Sequence, residues 1–375
     1  MKIAYRAGAL AAAAVLSFSL AACSADNEPS TAPTTSNTST GGAMAPLTGT
    51  LNGSGSTAQQ SAMDAWRAAF QTSNPGLTIN YDPVGSGGGV TAFMDGSVSW
   101  AGSDGALKDP DEYTAAVTRC GADGAINLPV YISPIAVVFN LDGISSLNLD
   151  ASTIAMIFDG KITKWNDPVI AGLNSGVTLP DLAITPVHRS DDSGTTKNFT
   201  DYLSQASNGA WTYPADKVWP IKGGETGEGT SGLMTVVTGT PGTIGYADAS
   251  KAGTAGVASI KVGDAWNAPS ADGAAVALTA STVASVNGAN DLAYKIDRTT
   301  TAAGAYPLML VSYAIVCQTY TDATEKANVT GFLSYVASAE GQQAAASAAG
   351  SAPLPADLSA KVESILAKIA KSKHL

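Results

Sequence analysis

His188-Arg189-Ser190-Asp191-Asp192-Ser193-Gly194-Thr195-Thr196 gathers the parts of an anion site into one short stretch. Arg189 offers a charged fork, Ser193, Thr195 and Thr196 offer hydroxyls, and Gly194 lets backbone approach a ligand closely. In the residues that follow, Phe199, Tyr202 and Leu203 recur at helical spacing, which predicts that the Ser-Gly-Thr turn opens a helix. The unpaired N–H groups of that first turn, and the positive end of the helix dipole, then face whatever the loop holds. Taken alone, the loop reads equally as a capped helix start and as an anion cradle.

Working outward, the same grammar recurs upstream. Leu51-Asn52-Gly53-Ser54-Gly55-Ser56-Thr57 reads as a strand and tight turn, followed by an amphipathic helix with Ala62, Met63, Trp66, Ala69 and Phe70 on one stripe and Ser56 or Thr57 near its N-cap. Leu77-Thr78-Ile79-Asn80-Tyr81 alternates like a strand and leads to a glycine-rich loop, Gly85-Ser86-Gly87-Gly88-Gly89-Val90. Gly102-Ser103-Asp104 places an acid just past another apolar segment. Residues 130–140 form an uncharged β-branched run suited to a buried strand or a crossing between lobes, and residues 308–316 form a second such run. A further glycine-rich loop spans residues 222–232, residues 331–349 are Ala-rich and read as helical, and Leu358, Val362, Ile365, Leu366 and Ile369 share one face of a last helix. Strands alternating with helices, with loops gathered at strand ends, predict an α/β sheet whose carboxyl edge carries a binding crevice.

The chain of 375 residues, 45% apolar and 14% charged, has the length for two or three lobes. Lys2 and Arg6 precede an uncharged run over residues 7–22, too short for a comfortable membrane span, which reads as an export signal. It ends in Leu20-Ala21-Ala22-Cys23, similar to the lipobox of bacterial lipoproteins, in which the Cys carries lipid, palmitate included, and becomes the mature N-terminus. Residues 24–46 are Ser, Thr, Pro, Asn, Gly and Ala with almost no large apolar side chain, the composition of a tether. Removing residues 1–22 subtracts Lys2 and Arg6 and no acid, so the formal charge of −11 becomes −13, which argues against a nucleic-acid partner. Cys120 and Cys317 remain as a possible disulfide in an oxidising compartment, with two buried thiols as the alternative.

Four loops therefore offer hydroxyls and backbone N–H groups with few carboxylates: Ser56-Thr57, Ser86, Asp104, and Arg189 with Ser193-Gly194-Thr195. A tetrahedral oxyanion needs such a set, because each oxygen must recover the hydrogen bonds it gave up to water. His188, Asp191 and Ser193 name a serine-hydrolase triad by residue type, but crowding in one loop and the lack of a G-x-S-x-G elbow weigh against it. With His188 and His374 the only histidines, a His-based metal site is not expected, nor is a cofactor.

The four loops in this order resemble the substrate-binding lipoprotein of the bacterial high-affinity phosphate (Pst-type) ABC transporter. Gly160-Lys161-Ile162-Thr163-Lys164-Trp165, Trp219-Pro220-Ile221 and Pro241-Gly242-Thr243-Ile244-Gly245-Tyr246 extend the resemblance from about residue 47 to the C-terminus. It implies an α/β, two-lobed type II periplasmic-binding-protein fold, with mixed sheets flanked by helices and a hinge. Lobe I would comprise residues 47–132 plus 306–375 and lobe II residues 133–305, which puts Cys120 and Cys317 in one lobe and favours their disulfide. It further implies phosphate held by Thr57, Ala58, Ser86, Arg189, Ser193, Gly194 and Thr195, with Asp191 bracing Arg189 and Asp104 accepting a proton from the anion. Position 58 is Ala where the family often has a large aromatic, and position 192 is Asp where Gly is frequent, so Asp192 is expected to point outward. The implied protein is a monomer, lipid-anchored through Cys23 on the extracytoplasmic face of the cell membrane, delivering phosphate to permease subunits without catalysis. Binding of sulfate or molybdate, or hydrolysis of phosphate esters through Ser193, are the alternatives.

Overall fold

The computed structural model describes residues 46–372, apart from Asp109. The export signal, Cys23 and all of the tether but Pro46 lie outside the described residues. Strands and helices alternate through the first third: β1 (Gly49–Gly55), α1 (Gln60–Ser73), β2 (Leu77–Asp82), α2 (Ser86–Met94), β3 (Trp100–Ser103), α3 (Pro110–Cys120) and β4 (Ala125–Phe139). The middle holds β5 (Ser146–Asn148), α4 (Ala151–Phe158), α5 (Pro168–Leu173), β6 (Thr185–Arg189), α6 (Gly194–Ala206), β7 (Glu225–Gly227), α7 (Gly229–Gly239) and β8 (Thr243–Asp248). Then come β9 (Gly256–Val262), β10 (Ala265–Asn267), α8 (Ala271–Thr279), β11 (Thr282–Val283), β12 (Tyr294–Lys295), β13 (Met309–Cys317), α9 (Ala323–Ala337), α10 (Ala339–Ala349) and α11 (Ala356–Lys371).

The main sheet runs β2-β1-β3-β13-β4-β8-β6-β7, and β4 is its axis. Every residue of β4 is buried, as the uncharged run predicts for a strand covered on both faces. Residues 125–134 pair antiparallel with β13, whereas Ile135 to Phe139 pair with β8, so the strand changes partner between Pro134 and Ile135. On one side β1 lies parallel to β2 and β3; on the other β6 lies parallel to β7 and β8. Loops at the carboxyl ends of both parallel sets can thus meet across the axis, where open α/β sheets bind ligands. The mixed α/β architecture expected from the alternation of elements is the one observed.

The ladder between β4 and β13 slips by one residue at Ser312/Tyr313, leaving Val130 without a partner strand residue. Its carbonyl instead accepts from Gln342 Nε2 at 2.9 Å, so the bulge leaves no buried oxygen unsatisfied. The stripe on α1 buries Ala62, Met63, Trp66 and Phe70, and α11 buries all five residues of its apolar face. Cys120, at the end of α3, is bonded to Cys317, at the end of β13, with Cα atoms 5.2 Å apart.

One local expectation is refined and another shifts. Residues 331–349 are two helices, because the Ser338 hydroxyl accepts from Gly341 N at 3.2 Å and starts α10 afresh. The first turn of α1 begins at Gln60, later than a Ser56 or Thr57 cap predicts. Ser56 Oγ still accepts from Ala58 N (3.1 Å) and Gln59 N (3.3 Å), but this satisfies the turn leading into the helix.

Asp248 is fully buried where β4 changes partner, accepting from Tyr131 OH (3.0 Å), Ser250 N (3.0 Å) and Ser250 Oγ (2.6 Å). Burial pushes its carboxyl up to about 6, with the hydrogen bonds from Ser250 opposing the rise. Between 3.8 and about 6 the folded chain keeps the proton that the unfolded chain releases. Stability present below the unfolded value is therefore lost as pH rises to about 6, by roughly 3 kcal/mol at ~1.4 kcal/mol per pK unit. Asp248→Asn can keep the three hydrogen bonds, since Tyr131 OH can accept as well as donate. We expect denaturant titrations of this variant to lose the share of the downward slope of stability between about pH 4 and 6 that Asp248 contributes; an unchanged slope would exclude Asp248 as a source.

Candidate anion site

Three loops from the β1–β3 side are stitched to one another by their backbones. Ser56 N donates to Gly102 O and Gly85 N donates to Gly55 O, each at 2.9 Å. This brings Ser56, Thr57, Ser86 and Asp104 together at the carboxyl ends of β1, β2 and β3. From the other side, β6 delivers Arg189 and the first turn of α6 delivers Ser193, Gly194 and Thr195. Ser193 is the N-cap, its Oγ accepting from Thr196 N at 3.1 Å, so the helix opens where the sequence predicts.

The two sets interlock. Thr195 Oγ1 donates to Asp104 Oδ2 at 3.3 Å, Asn198 Nδ2 to Asp104 O at 2.6 Å, and Gly87 N to Asp192 O at 2.9 Å. Thr57 Oγ1 and Thr230 Oγ1 are 2.8 Å apart, and Thr230 N donates to Thr57 Oγ1 at 3.2 Å. Gly194 is required here by space: a Cβ would lie 2.4 Å from Ser86 Oγ and 2.7 Å from Asp104 Cβ. The cleft is shut, and Thr57, Ala58, Ser86, Asp104, Arg189, Ser193 and Thr195 are all buried.

Arg189, 3% exposed, is gripped at two points by Asp191: Nε donates to Oδ1 at 2.7 Å and Nη2 to Oδ2. Asp191 Oδ1 also accepts from Gly229 N at 3.0 Å, which ties the pair to the start of α7. Two of the guanidinium's five N–H donors are thereby fixed in direction, and the planar group cannot swing. Arg189 N donates to Tyr246 OH (3.3 Å), which also pairs with Thr196 Oγ1 (2.7 Å) within an aromatic group of Phe158, Phe199 and Trp219. Asp192 is exposed, and its side chain lies against Gly87.

The two oxygens of Asp104 differ. Oδ1 accepts short bonds from Ser56 Oγ (2.5 Å) and Ser312 Oγ (2.6 Å). Oδ2 accepts only long ones, from Ser86 Oγ (3.4 Å) and Thr195 Oγ1 (3.3 Å), beyond the usual range for hydroxyl donors. Oδ1 is saturated and Oδ2 is held loosely. Burial raises the Asp104 carboxyl above the ordinary carboxylate value; the hydrogen bonds from Ser312 and Ser56 and the Arg189 charge oppose the rise. A buried, under-satisfied carboxylate oxygen facing a ring of donors is an acceptor for a protonated oxyanion.

The triad named by residue type is not assembled. His188 Nδ1 lies 2.9 Å from Arg189 O and Nε2 3.1 Å from Gly223 O, while Asp191 holds Arg189. Sequence reading passed over Ser312, Asn198, Thr230 and Tyr246. Ser312 left one signal, the single serine in the uncharged run 308–316, and Thr230 lies in the glycine-rich loop that had no assigned partner. No group of three or more His, Cys, Asp or Glu that could hold a metal occurs among the described residues.

A family model described as a PBP superfamily domain matches residues 29–340. Phosphate-binding protein PstS2 of Mycobacterium bovis (strain BCG / Pasteur 1173P2) is 37% identical over 323 residues, 83% of this chain and 85% of its own. Phosphate-binding protein PstS 3 of Mycobacterium leprae (strain TN) is 38% identical over 335 residues, 87% of this chain and 88% of its own. A high affinity periplasmic phosphate-binding protein, solved with phosphate bound at pH 8.5, matches with a TM-score of 0.68 and 25% identity, over 84% of this chain and 93% of that one. The order of the loops, the shut cleft built around Arg189 and Asp104, and these similarities agree: the chain belongs to the PBP superfamily and, within it, to the PstS family of phosphate-binding proteins.

Proposed function

We propose that this protein binds inorganic phosphate between two lobes, residues 47–132 plus 306–375 and residues 133–305, and passes it to the membrane permease of an ABC transporter. Thr57, Ala58, Ser86, Ser193, Gly194 and Thr195 supply hydroxyl and backbone N–H donors, and Arg189, braced by Asp191, supplies charge. The observation that carries the reading is the asymmetry of Asp104. Its loosely held Oδ2 accepts the proton that phosphate retains near neutral pH, and the long bonds from Ser86 and Thr195 yield as those hydroxyls turn to the ligand. Sulfate has no such proton and meets a repelling charge, a rejection that reaches several kcal/mol in a desolvated cleft. Flexing of β4 at the Pro134–Ile135 change of partner lets the lobes part and close.

Catalysis has no place in this scheme, and the protein works as a monomer. The lipobox supports anchoring through Cys23 to the extracytoplasmic face of the cell membrane, with the Ser/Thr/Pro-rich tether giving the lobes reach. No helix among the described residues is long and apolar enough to cross a membrane. Calorimetry of purified protein stripped of ligand is the test. We expect saturable phosphate binding that persists under a thousandfold excess of sulfate, as about 4 kcal/mol of discrimination requires; displacement by sulfate or molybdate would assign the cradle to another oxyanion.

A further inference from the structure

A cavity of about 290 Å³ adjoins the cradle, sharing Asp104 and Asn198 with it and lined also by Lys108, Lys197, Lys295 and Arg298. A neighbouring hollow shares Lys108 and Lys197 and adds Lys217, with Glu112 and Asp216 also in its lining. Some of these charges are already matched. Arg298 Nε donates to Asp201 at 2.8 Å and its Nη2 donates to Asn198 Oδ1 at 2.6 Å, while Lys217 pairs with Glu112 at 2.9 Å.

Three are not. Lys108 Nζ donates to a carbonyl, Tyr294 O, at 3.1 Å, and none of Lys108, Lys197 and Lys295 pairs with a carboxylate among the described residues. Lys197 leans over Gly105, next in the chain to Asp104, and is half-buried. Burial, then repulsion from Lys217, lowers the affinity of the Lys197 ammonium for its proton, with Glu112 and Asp216 opposing; Lys108 is lowered by burial, against attraction from Asp201 and Asp291 and with repulsion from Arg298 and Lys295. Gathering unmatched like charges costs stability, and it does so here in a chain of formal charge −11.

That location matters for an anion. The cradle residues are buried when the cleft is shut, so ligand must arrive through the cleft while it is open. At physiological salt the field of the acidic surface is screened within about 8 Å, and charges lining the entrance decide what an approaching anion feels. Lysine suits transient capture, being a strongly hydrated point charge without the two-point grip of Arg.

We propose that this cavity is an outer phosphate site on the route into the cradle, where Lys108, Lys197 and Lys295 collect the anion before the lobes close. The proposal rests on the phosphate reading above. It is tested with the triple variant Lys108→Gln/Lys197→Gln/Lys295→Gln, by stopped-flow fluorescence with inorganic phosphate. At an ionic strength of about 0.01 M the association rate constant falls roughly tenfold, and at about 1 M, where the screening length is ~3 Å, it matches the parent. The triple Arg variant restores the parent rate at low salt. Equal rates at low salt overturn the proposal, and so does a deficit that persists at high salt, which would mark a change of shape instead of charge. A parent protein that binds no phosphate removes the functional reading and the outer site together; one that binds with rates indifferent to the lysines removes the outer site alone.

Discussion

Arg189→Met weakens phosphate binding by two to four orders of magnitude, the 3–5 kcal/mol or so that follows when one partner of a buried charge pair is truncated. Arg189 is the only cation among the proposed ligands and is 3% exposed, so neither water nor another side chain substitutes for it. The loss has a second component. Asp191 is left with a charge in a closed cleft, matched only by the N–H of Gly229, and it then repels the anion it had helped to hold. Arg189→Lys therefore recovers little: it restores charge but cannot engage both oxygens of Asp191 while facing a ligand. Calorimetry reads the affinity, and a thermal melt confirms that the variant is folded. A dissociation constant within threefold of the parent, in a folded variant, would remove Arg189 from the site.

Asp104→Asn retains phosphate binding in part and loses most of the discrimination against sulfate, by about two to three orders of magnitude. The side-chain oxygen of Asn can still accept from Ser56 and Ser312, so the scaffold around Oδ1 survives. The amide that replaces Oδ2 is a donor and welcomes an unprotonated oxyanion. The same logic gives a pH dependence. Because burial raises the Asp104 carboxyl, acidification protonates it sooner than an exposed acid, and it then donates where it had accepted. Competition by sulfate in the parent protein should therefore grow as pH falls through that raised value, and the Asn variant should show no such growth. Discrimination that is equal in the two proteins, at any pH, would refute the selective role of Asp104.

Much of this was readable in one dimension because the responsible physics is local. A glycine-rich turn between an apolar run and an amphipathic stripe can fold in few ways, so the strand-loop-helix units at Gly55 and Gly85 and the helix opening at Ser193 emerge where their patterns place them. Arg189 and Asp191 stand two positions apart, and their pairing needs little besides the loop itself. Local signals also fall short. An Ala-rich stretch gives helical periodicity no reason to stop, and only the Ser338 cap, competing for the same backbone N–H groups, splits it.

The α/β class, the inventory of donor loops and the burial of the two uncharged strands were legible in the sequence alone. Composition, spacing and hydrophobic period carry those properties directly. Which residues become neighbours was set by the folded chain. Ser312 lies 208 residues from Asp104 and Thr230 lies 173 from Thr57, and no local pattern records such pairings. Ser312 reaches Asp104 because β13 pairs antiparallel with β3, setting Tyr313 opposite Ser103, and Thr230 reaches Thr57 from the strand set on the far side of β13 and β4. The difference between the two oxygens of Asp104 has the same origin: Ser312 comes from β13, the strand paired with β3, and Thr195 arrives from the opposite side of the cleft. The placement of Asp192 has the same character, its backbone carbonyl being tied to Gly87 across the cleft and its side chain resting against that glycine, in a residue that is exposed.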